Sequence, residues 1–222
     1  MTLRSTDRLA LAHGACVIVE LADLDAATAA LPVDEQARAE AYPPARRGPY
    51  VAGRTALHLA LDSRAPIASN DRGAPILPDG WVGSISHKGA LAAALVAPAG
   101  AGVGAGVDAG VGAGVGAGFV GVDLERAAAP RVDIASRVLT PRELAVVPDR
   151  GRAVTLRFSI KEAIYKAIDP FVRRYVGFLE VELDFTGDAV TVTTELPFAI
   201  EATWREHAGH WLTTARATRH PA

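Results

Sequence analysis

Two acids alternate with apolar residues in Gly121-Val122-Asp123-Leu124-Glu125. On an extended strand side chains alternate faces, so Asp123 and Glu125 point one way while Val122 and Leu124 point the other, into a core. Neighbouring carboxylates repel each other unless a cation lies between them. Oxygen ligands at this spacing suit a hard ion such as Mg²⁺, which keeps waters and phosphate oxygens as its other ligands. The same pattern also describes two solvated acids on the open face of a one-sided sheet. A second stretch bears on the choice: Phe158-Ser159-Ile160-Lys161-Glu162-Ala163-Ile164-Tyr165-Lys166-Ala167. Read as a helix, it puts Ser159, Glu162 and Lys166 on one flank, which offers a third carboxylate and a cationic donor to the same site. Glu162 and Lys166 are also spaced for an ordinary surface ion pair worth a few tenths of a kcal/mol. The residues alone leave both readings open.

These groups need elements to position them. Leu156, Ile160, Ala163, Ile164, Ala167 and Ile168 form the apolar stripe of a helix over Arg152–Ile168, which Asp169-Pro170 is expected to end. Before it, Val132–Leu139 reads as a helix, and Thr140-Pro141-Arg142-Glu143 carries a capping box with proline at the first helical position. After it come four expected strands, Leu179–Phe185, Ala189–Thr194, Phe198–Arg205 and His210–Ala217, mostly in antiparallel hairpins, with Thr186-Gly187-Asp188 as one turn. In the first half, Ala15–Leu21 reads as a buried strand and Pro32–Tyr42 as a short helix broken by Pro43-Pro44. A second helix covers Arg46–Leu61, Asp71–Pro75 is a turn, and Trp81–Gly89 and Ala90–Ala97 are strands. Each half thus offers a strand, helices and antiparallel strands, which suggests two similar α+β units of about 110 residues each.

At 222 residues the chain can fold as one large domain or two small ones. Half the residues are apolar, so a packed protein is expected, and a net charge of −2 gives no basic field for nucleic acid. A single cysteine excludes a disulfide framework and a cysteine zinc cluster, and Cys16 reads as a small buried hydrophobe. The amino-terminal residues show no signal-peptide core, and the glycine-rich run at 97–122, broken by Asp108, makes a poor membrane span. A soluble, cytoplasmic protein is expected. Residues 99–118 alternate Gly with Ala or Val and read as a flexible loop. Gly116–Gly121 spells a dinucleotide fingerprint, but it leads into a strand rather than a helix, so that reading is set aside.

Other letters carry weaker signals. His58-Leu-Ala-Leu-Asp62 matches an HxxxD pattern found in CoA-dependent acyltransferases. Ser86-His87-Lys88 at a strand end suits a phosphate, although no third member is placed for nucleophilic catalysis. His207-Ala208-Gly209-His210 reads as a hairpin turn rather than a metal site. Arg46, Arg47 and Arg54 share one helix, as either a solvated face or an anion site.

Taken in order, Gly53-Arg54, Arg72-Gly73-Ala74-Pro75, Trp81-Val-Gly-Ser-Ile-Ser86-His87, Gly121-Val-Asp123-Leu-Glu125 and Phe158-Ser-Ile-Lys161-Glu162-Ala-Ile-Tyr-Lys166-Ala form a set. Together they resemble the Sfp-type 4′-phosphopantetheinyl transferases, most of all the branch of the enterobactin synthase component D enzymes. The resemblance implies an α+β fold of two pseudo-symmetric halves, residues 1–118 and 119–222, with coenzyme A held at their interface. It implies transfer of the phosphopantetheine arm of CoA to a serine of an apo acyl or peptidyl carrier protein, releasing adenosine 3′,5′-bisphosphate, by a monomer without a nucleic-acid or membrane partner. By position, Asp123, Glu125 and Glu162 would hold Mg²⁺, with Mn²⁺ as a substitute. Glu162 would also activate the carrier serine, and Lys166 would face the pyrophosphate. Ser86 and His87 would contact CoA phosphates, and Arg46, Arg54 and Arg72 the 3′-phosphate and adenosine end. Arg173, Arg174, Tyr175 and Phe178 would meet the carrier. The alternatives are a CoA-binding module without catalysis and an acyltransferase built on His58 and Asp62. The insert before Gly121 and the lysine at position 88 depart from the family pattern.

Overall fold

The computed structural model describes residues 2–100, 118–147 and 150–220. The chain divides into two compact units, Met1–Pro98 and Ala99–Ala222. Most of the glycine-rich stretch read as a loop, with Asp108 and the start of the false fingerprint, lies outside the described residues.

The first unit runs β1 (Leu3–Leu11), β2 (Gly14–Leu21), α1 (Leu24–Ala29), α2 (Val33–Ala41), α3 (Pro44–Leu61), β3 (Trp81–Lys88) and β4 (Leu91–Pro98). Its antiparallel sheet has the order β1-β2-β4-β3. Val17 and Val19 of β2 and Ala92, Ala94 and Val96 of β4 turn one face to Ala52, Ala56 and Leu57 of α3. Gly53 lets α3 come close, since a Cβ there would sit 2.7 Å from the Ile85 side chain of β3. The helix begins at Pro44 rather than Arg46, because proline suits the first helical position, where its missing N–H has no intrahelical partner. The sequence reading missed β1, an edge strand whose residues are mostly exposed and so lack an apolar alternation. It also missed α1, six residues capped by the Asp23 side chain accepting from the Ala26 N–H.

The second unit runs β5 (Phe119–Arg126), α4 (Ala135–Val138), α5 (Pro141–Val146), α6 (Arg152–Val172), a 3₁₀ turn (Phe178–Glu180), β6 (Val181–Thr186), β7 (Ala189–Thr194), β8 (Phe198–His207) and β9 (His210–Arg219). Strands β5, β9 and β8 form one antiparallel sheet, and β6 pairs with β7. The expected apolar stripe of α6 is buried at every position, from Leu156 to Ile168, against Ala215, Ala217 and Trp211 of β9 and Phe198 and Ala202 of β8. Burial of each large aliphatic side chain there contributes about 1.5–3 kcal/mol.

Strands β8 and β9 run two residues further than expected, and three other boundaries in this unit differ for identifiable reasons. Pro170 does not end α6, which continues to Val172. Proline removes one helical hydrogen bond, and Phe171 holds the last turn in place by packing on Phe119 and Phe198. Arg173 then closes the helix in the left-handed region (φ 48°), its N–H donating to the Asp169 carbonyl. The helix expected over Val132–Leu139 shrinks to the single turn of α4, started by Asp133 accepting from the Ala135 N–H and stopped by the extended Leu139 before the Thr140-Pro141 cap. The strand expected from Leu179 begins at Val181, because Phe178–Glu180 coil into the 3₁₀ turn. The capping box at Thr140 and Glu143 and the tight turn at Ala208-Gly209 stand as expected.

The contact that matters most for the site is between β5 and α6. A Cβ on Gly121 would lie 1.9 Å from the Ala163 carbonyl oxygen and 2.9 Å from the Ala167 nitrogen. Strand and helix backbones therefore touch where only glycine fits. Gly121→Ala is expected to lower the stability of the protein by about 3 kcal/mol or more, as overpacking against an immobile backbone does. A urea unfolding curve within 1 kcal/mol, roughly, of the parent would contradict this packing.

Candidate functional site

Strand β5 presents Asp123, which pairs in register with Thr213 of β9, and Glu125, which pairs with Trp211. The face carrying Gly121 and Asp123 is not open to solvent: α6 covers it, and Asp123 is buried. Val122 and Leu124 are fully buried as well. A carboxylate in that position needs partners, because an unpaired buried charge is costly. It has them. Lys166 Nζ donates to Asp123 Oδ1 at 2.8 Å and to the Val122 carbonyl at 3.0 Å. Ser159 Oγ donates to Asp123 Oδ2 at 2.9 Å. Thr213 Oγ1 lies 3.0 Å from the same hydroxyl and donates to the Ser159 carbonyl at 2.9 Å. The helical flank named from sequence thus meets the strand acid directly.

Glu162 joins the group through electrostatics. Burial pushes its carboxyl above the ordinary glutamate range; Lys166 pulls it back, while the charges of Asp123 and Glu125 raise it further. Among the described residues, no three His, Cys, Asp or Glu side chains stand close enough together to hold a metal ion. In chemical type, though not in their present spacing, the donors suit such an ion. Three carboxylates sense one another, with one lysine as counter-charge, and a hard divalent cation relieves that repulsion through oxygen ligands.

In the first unit Arg54 is buried on α3. Its guanidinium donates to the Ile67 carbonyl at 2.9 Å and to Ser69 Oγ at 2.6 Å, and lies over the Tyr50 ring. Part of its donor set therefore holds the loop that leads to Arg72. That loop turns as expected: Asn70 Oδ1 accepts from the Arg72 and Ala74 N–H groups, with Gly73 at φ 84°. Arg46 is exposed near the start of α3; Ser86 is buried and His87 exposed on the edge strand β3. Arg47 pairs with Asp25.

His58 does not support an acyl-transfer site. Its Nδ1 faces the Ser63 carbonyl at 2.8 Å, and its Nε2 faces the Glu35 carboxylate at 3.0 Å. Asp62 caps the end of α3 in the left-handed region. Both ring nitrogens are thus engaged in holding the 63–67 loop, where Glu35 also accepts from the Ile67 N–H.

Sequence reasoning missed one contributor and the placement of a neighbouring lysine. Thr213 orients Ser159, and its signal is the Thr213-Thr214 pair in the buried middle of β9. Lys161, inside the helical motif, turns away from the site into a sealed pair with Glu143. Cys16 is buried as expected, and burial pushes its thiol up to about 12. Among the described residues no helix is long and apolar enough to cross a membrane.

Because Glu162 is more basic in the folded chain than in the unfolded one, its protonation stabilises the fold below the unfolded pKa, and this contribution is lost as pH rises through the folded value. In the presence of chelator, Glu162→Gln should therefore gain stability over the parent progressively as pH rises above the ordinary glutamate range. A difference in urea midpoint that stays constant over that rise would show that Glu162 is not held at a cost.

Comparison with known proteins adds a second line of evidence. A family model described as the 4′-phosphopantetheinyl transferase N-terminal domain matches residues 20–97. One described as the 4′-phosphopantetheinyl transferase superfamily matches residues 119–218. The 4′-phosphopantetheinyl transferase PptT of Mycobacterium tuberculosis is 31% identical over 179 residues, covering 77% of this chain and 72% of that protein. Npt of Nocardia iowensis is 31% identical over 147 residues, 63% of this chain and 60% of the relative. Enterobactin synthase component D of Escherichia coli O157:H7 is 29% identical over 147 residues, 62% of this chain and 61% of the relative. The chain thus spans about three fifths of the length of the last two. Among solved structures, the holo-[acyl-carrier-protein] synthase of Thermotoga maritima aligns with 46% of this chain and 63% of its own, at 21% identity and a TM-score of 0.37.

Proposed function

Because the chain belongs to the 4′-phosphopantetheinyl transferases, enzymes that move the phosphopantetheine arm of coenzyme A onto apo carrier proteins, we propose that Asp123, Glu125 and Glu162 hold Mg²⁺ beside the CoA pyrophosphate and that Glu162 and Lys166 carry the transfer. The observation that supports this most is the Lys166–Asp123–Ser159 network, with the carboxyl of Glu162 raised next to it.

In the reaction a carrier serine oxygen bonds to the β-phosphorus of CoA, the bond from that phosphorus to the bridging oxygen breaks, and adenosine 3′,5′-bisphosphate leaves. A serine hydroxyl is a weak nucleophile until a base takes its proton. Glu162, more basic than an ordinary glutamate, accepts that proton, directly or through a water. Lys166 uses two of its N–H groups on Val122 and Asp123 among the described residues, and directs the third to the leaving phosphate. Its side chain remains a quarter exposed (25%), against 7% for Asp123, so a phosphate can reach it. When bound, Mg²⁺ supplies charge neutralisation for a diphosphate that an oxygen nucleophile must approach.

Arg46, Arg54 and Arg72 bind the 3′-phosphate and adenosine end, and Ser86 and His87 the CoA phosphates. Arg54 does this with the donors left over from Ile67, Ala68 and Ser69. The segment 173–178 meets the carrier. Tyr175 is 73% exposed there, whereas Arg174 pairs with Glu180 and the Phe178 ring packs on Phe158. Carrier proteins are typically acidic, which suits a basic and aromatic surface.

Incubated with an apo carrier, CoA and Mg²⁺, the protein should add the mass of one phosphopantetheine arm to the carrier. Asp123→Ala and Glu162→Ala should each lose that transfer by at least about a thousand-fold while keeping a cooperative unfolding transition. Near-parental turnover in either variant would remove its residue from the site. Arg54→Ala should raise the KM for CoA about ten-fold more than that for dephospho-CoA, and equal effects would show that it acts only on the 67–69 loop.

A further inference from the structure

Lys161 and Glu162 are neighbours on α6 with different surroundings. The Lys161 ammonium is sealed in the second unit, its side chain and that of Glu143 each 1% exposed. It donates to Glu143 Oε2 at 2.6 Å, to the Val138 carbonyl at 2.8 Å and to the Phe178 carbonyl at 3.1 Å, which uses all three of its N–H groups. Glu143 is equally committed: Oε2 also accepts from the Thr140 N–H at 2.7 Å, and Oε1 from the Leu183 N–H at 3.1 Å. One buried pair thus ties the end of α4, the start of α5, the 3₁₀ turn and β6 to α6.

The tie to Phe178 has a particular place. The segment 173–178 leaves α6 at Arg173, whose N–H donates to Asp169 of the same helix. It ends at Phe178, whose carbonyl is held by Lys161 and whose ring packs on Phe158 of α6 at a centroid distance of 5.3 Å. Within it, Arg174 and the Gly177 N–H both bond to Glu180. Both ends of the segment are therefore fastened to one helix, and the exposed Tyr175 lies between them. That helix also carries Ser159, Glu162 and Lys166 at β5.

We propose that Lys161 is a positioning residue that fixes the 173–178 segment to the catalytic helix, so that a carrier docked on Tyr175 presents its serine in register with Glu162. This rests on the reading of that segment as the carrier surface. Lys161 touches neither CoA nor carrier. Its effect falls on delivery of the carrier and spares the CoA end.

Lys161→Met alone would strand the Glu143 carboxylate in the interior, so the pair is replaced together, Lys161→Met with Glu143→Gln, which keeps a carbonyl for the Leu183 N–H. The fold is checked by urea unfolding, and the KM for CoA and for apo carrier are measured separately. Hydrogen exchange is followed at 174–178 and at 156–168. The expected result is a carrier KM raised about ten-fold with a CoA KM within about two-fold of the parent. Exchange should be faster in the segment and unchanged in the helix. Tyr175→Ala should also raise the carrier KM, and should add little when combined with the double variant. A carrier KM that does not move, or that moves in step with the CoA KM, overturns the proposal. An effect of Tyr175→Ala without one from the double variant overturns the coupling alone. No effect of Tyr175→Ala overturns the docking reading, and the coupling with it. If the double variant does not fold, Lys161→Arg, whose planar fork cannot reach the three acceptors as an ammonium does, is judged by the same KM split and exchange pattern.

Discussion

One steric constraint underlies the site: at Gly121 the backbone of β5 meets the backbone of α6, with no room for even a methyl group. The helix answers with small residues, Ala163 and Ala167, at the point of contact. Closeness there is what lets a serine and a lysine one turn to either side reach an acid on the strand. With a larger residue at 121 the helix would stand off, and Asp123 would be a buried carboxylate without its serine and lysine. The local sequence, the packing and the chemistry are thus one fact stated at three scales.

Two lysine–carboxylate pairs on the same helix show how burial divides structure from function. Lys161 and Glu143 are sealed and saturated, with every donor and acceptor assigned within the second unit. Such a pair orders its surroundings and cannot exchange partners without unfolding them. Lys166 and Asp123 are joined at a similar distance, but the lysine retains access to solvent. In the proposed transfer, that pair would trade an internal partner for a ligand. Glu162 stands beside it in a field that disfavours its charge. The helix therefore carries a fixed anchor and a set of exchangeable charges within two turns.

Much of this was legible in the amino-acid sequence. The alternation around Asp123 and the 3.6-residue stripe of α6 each report a physical period, and both placed their side chains correctly. The capping box at Thr140 was readable because its partners lie three residues apart. What stayed hidden depends on contacts distant in sequence. Nothing near Lys161 announces that it pairs with Glu143 or that its ammonium holds Phe178. Nothing near Arg54 announces that its guanidinium is partly spent on Ile67 and Ser69. Strand β1 was missed because an exposed edge strand has no apolar face to betray it, and the end of α6 was misjudged because aromatic packing of Phe171 outweighs the single hydrogen bond that Pro170 removes. The order of the motifs, rather than any one of them, carried the resemblance to the transferase family.

The proposed transfer requires Asp123, Glu125 and Glu162 to share one divalent ion. Titration of Mn²⁺ into the CoA-loaded protein, read by the loss of the free-ion electron paramagnetic resonance signal, measures this without reference to turnover. A single site is predicted, weakened at least about ten-fold by Asp123→Asn, by Glu125→Gln and by Glu162→Gln. Parental Mn²⁺ affinity in the Glu162→Gln protein would contradict it.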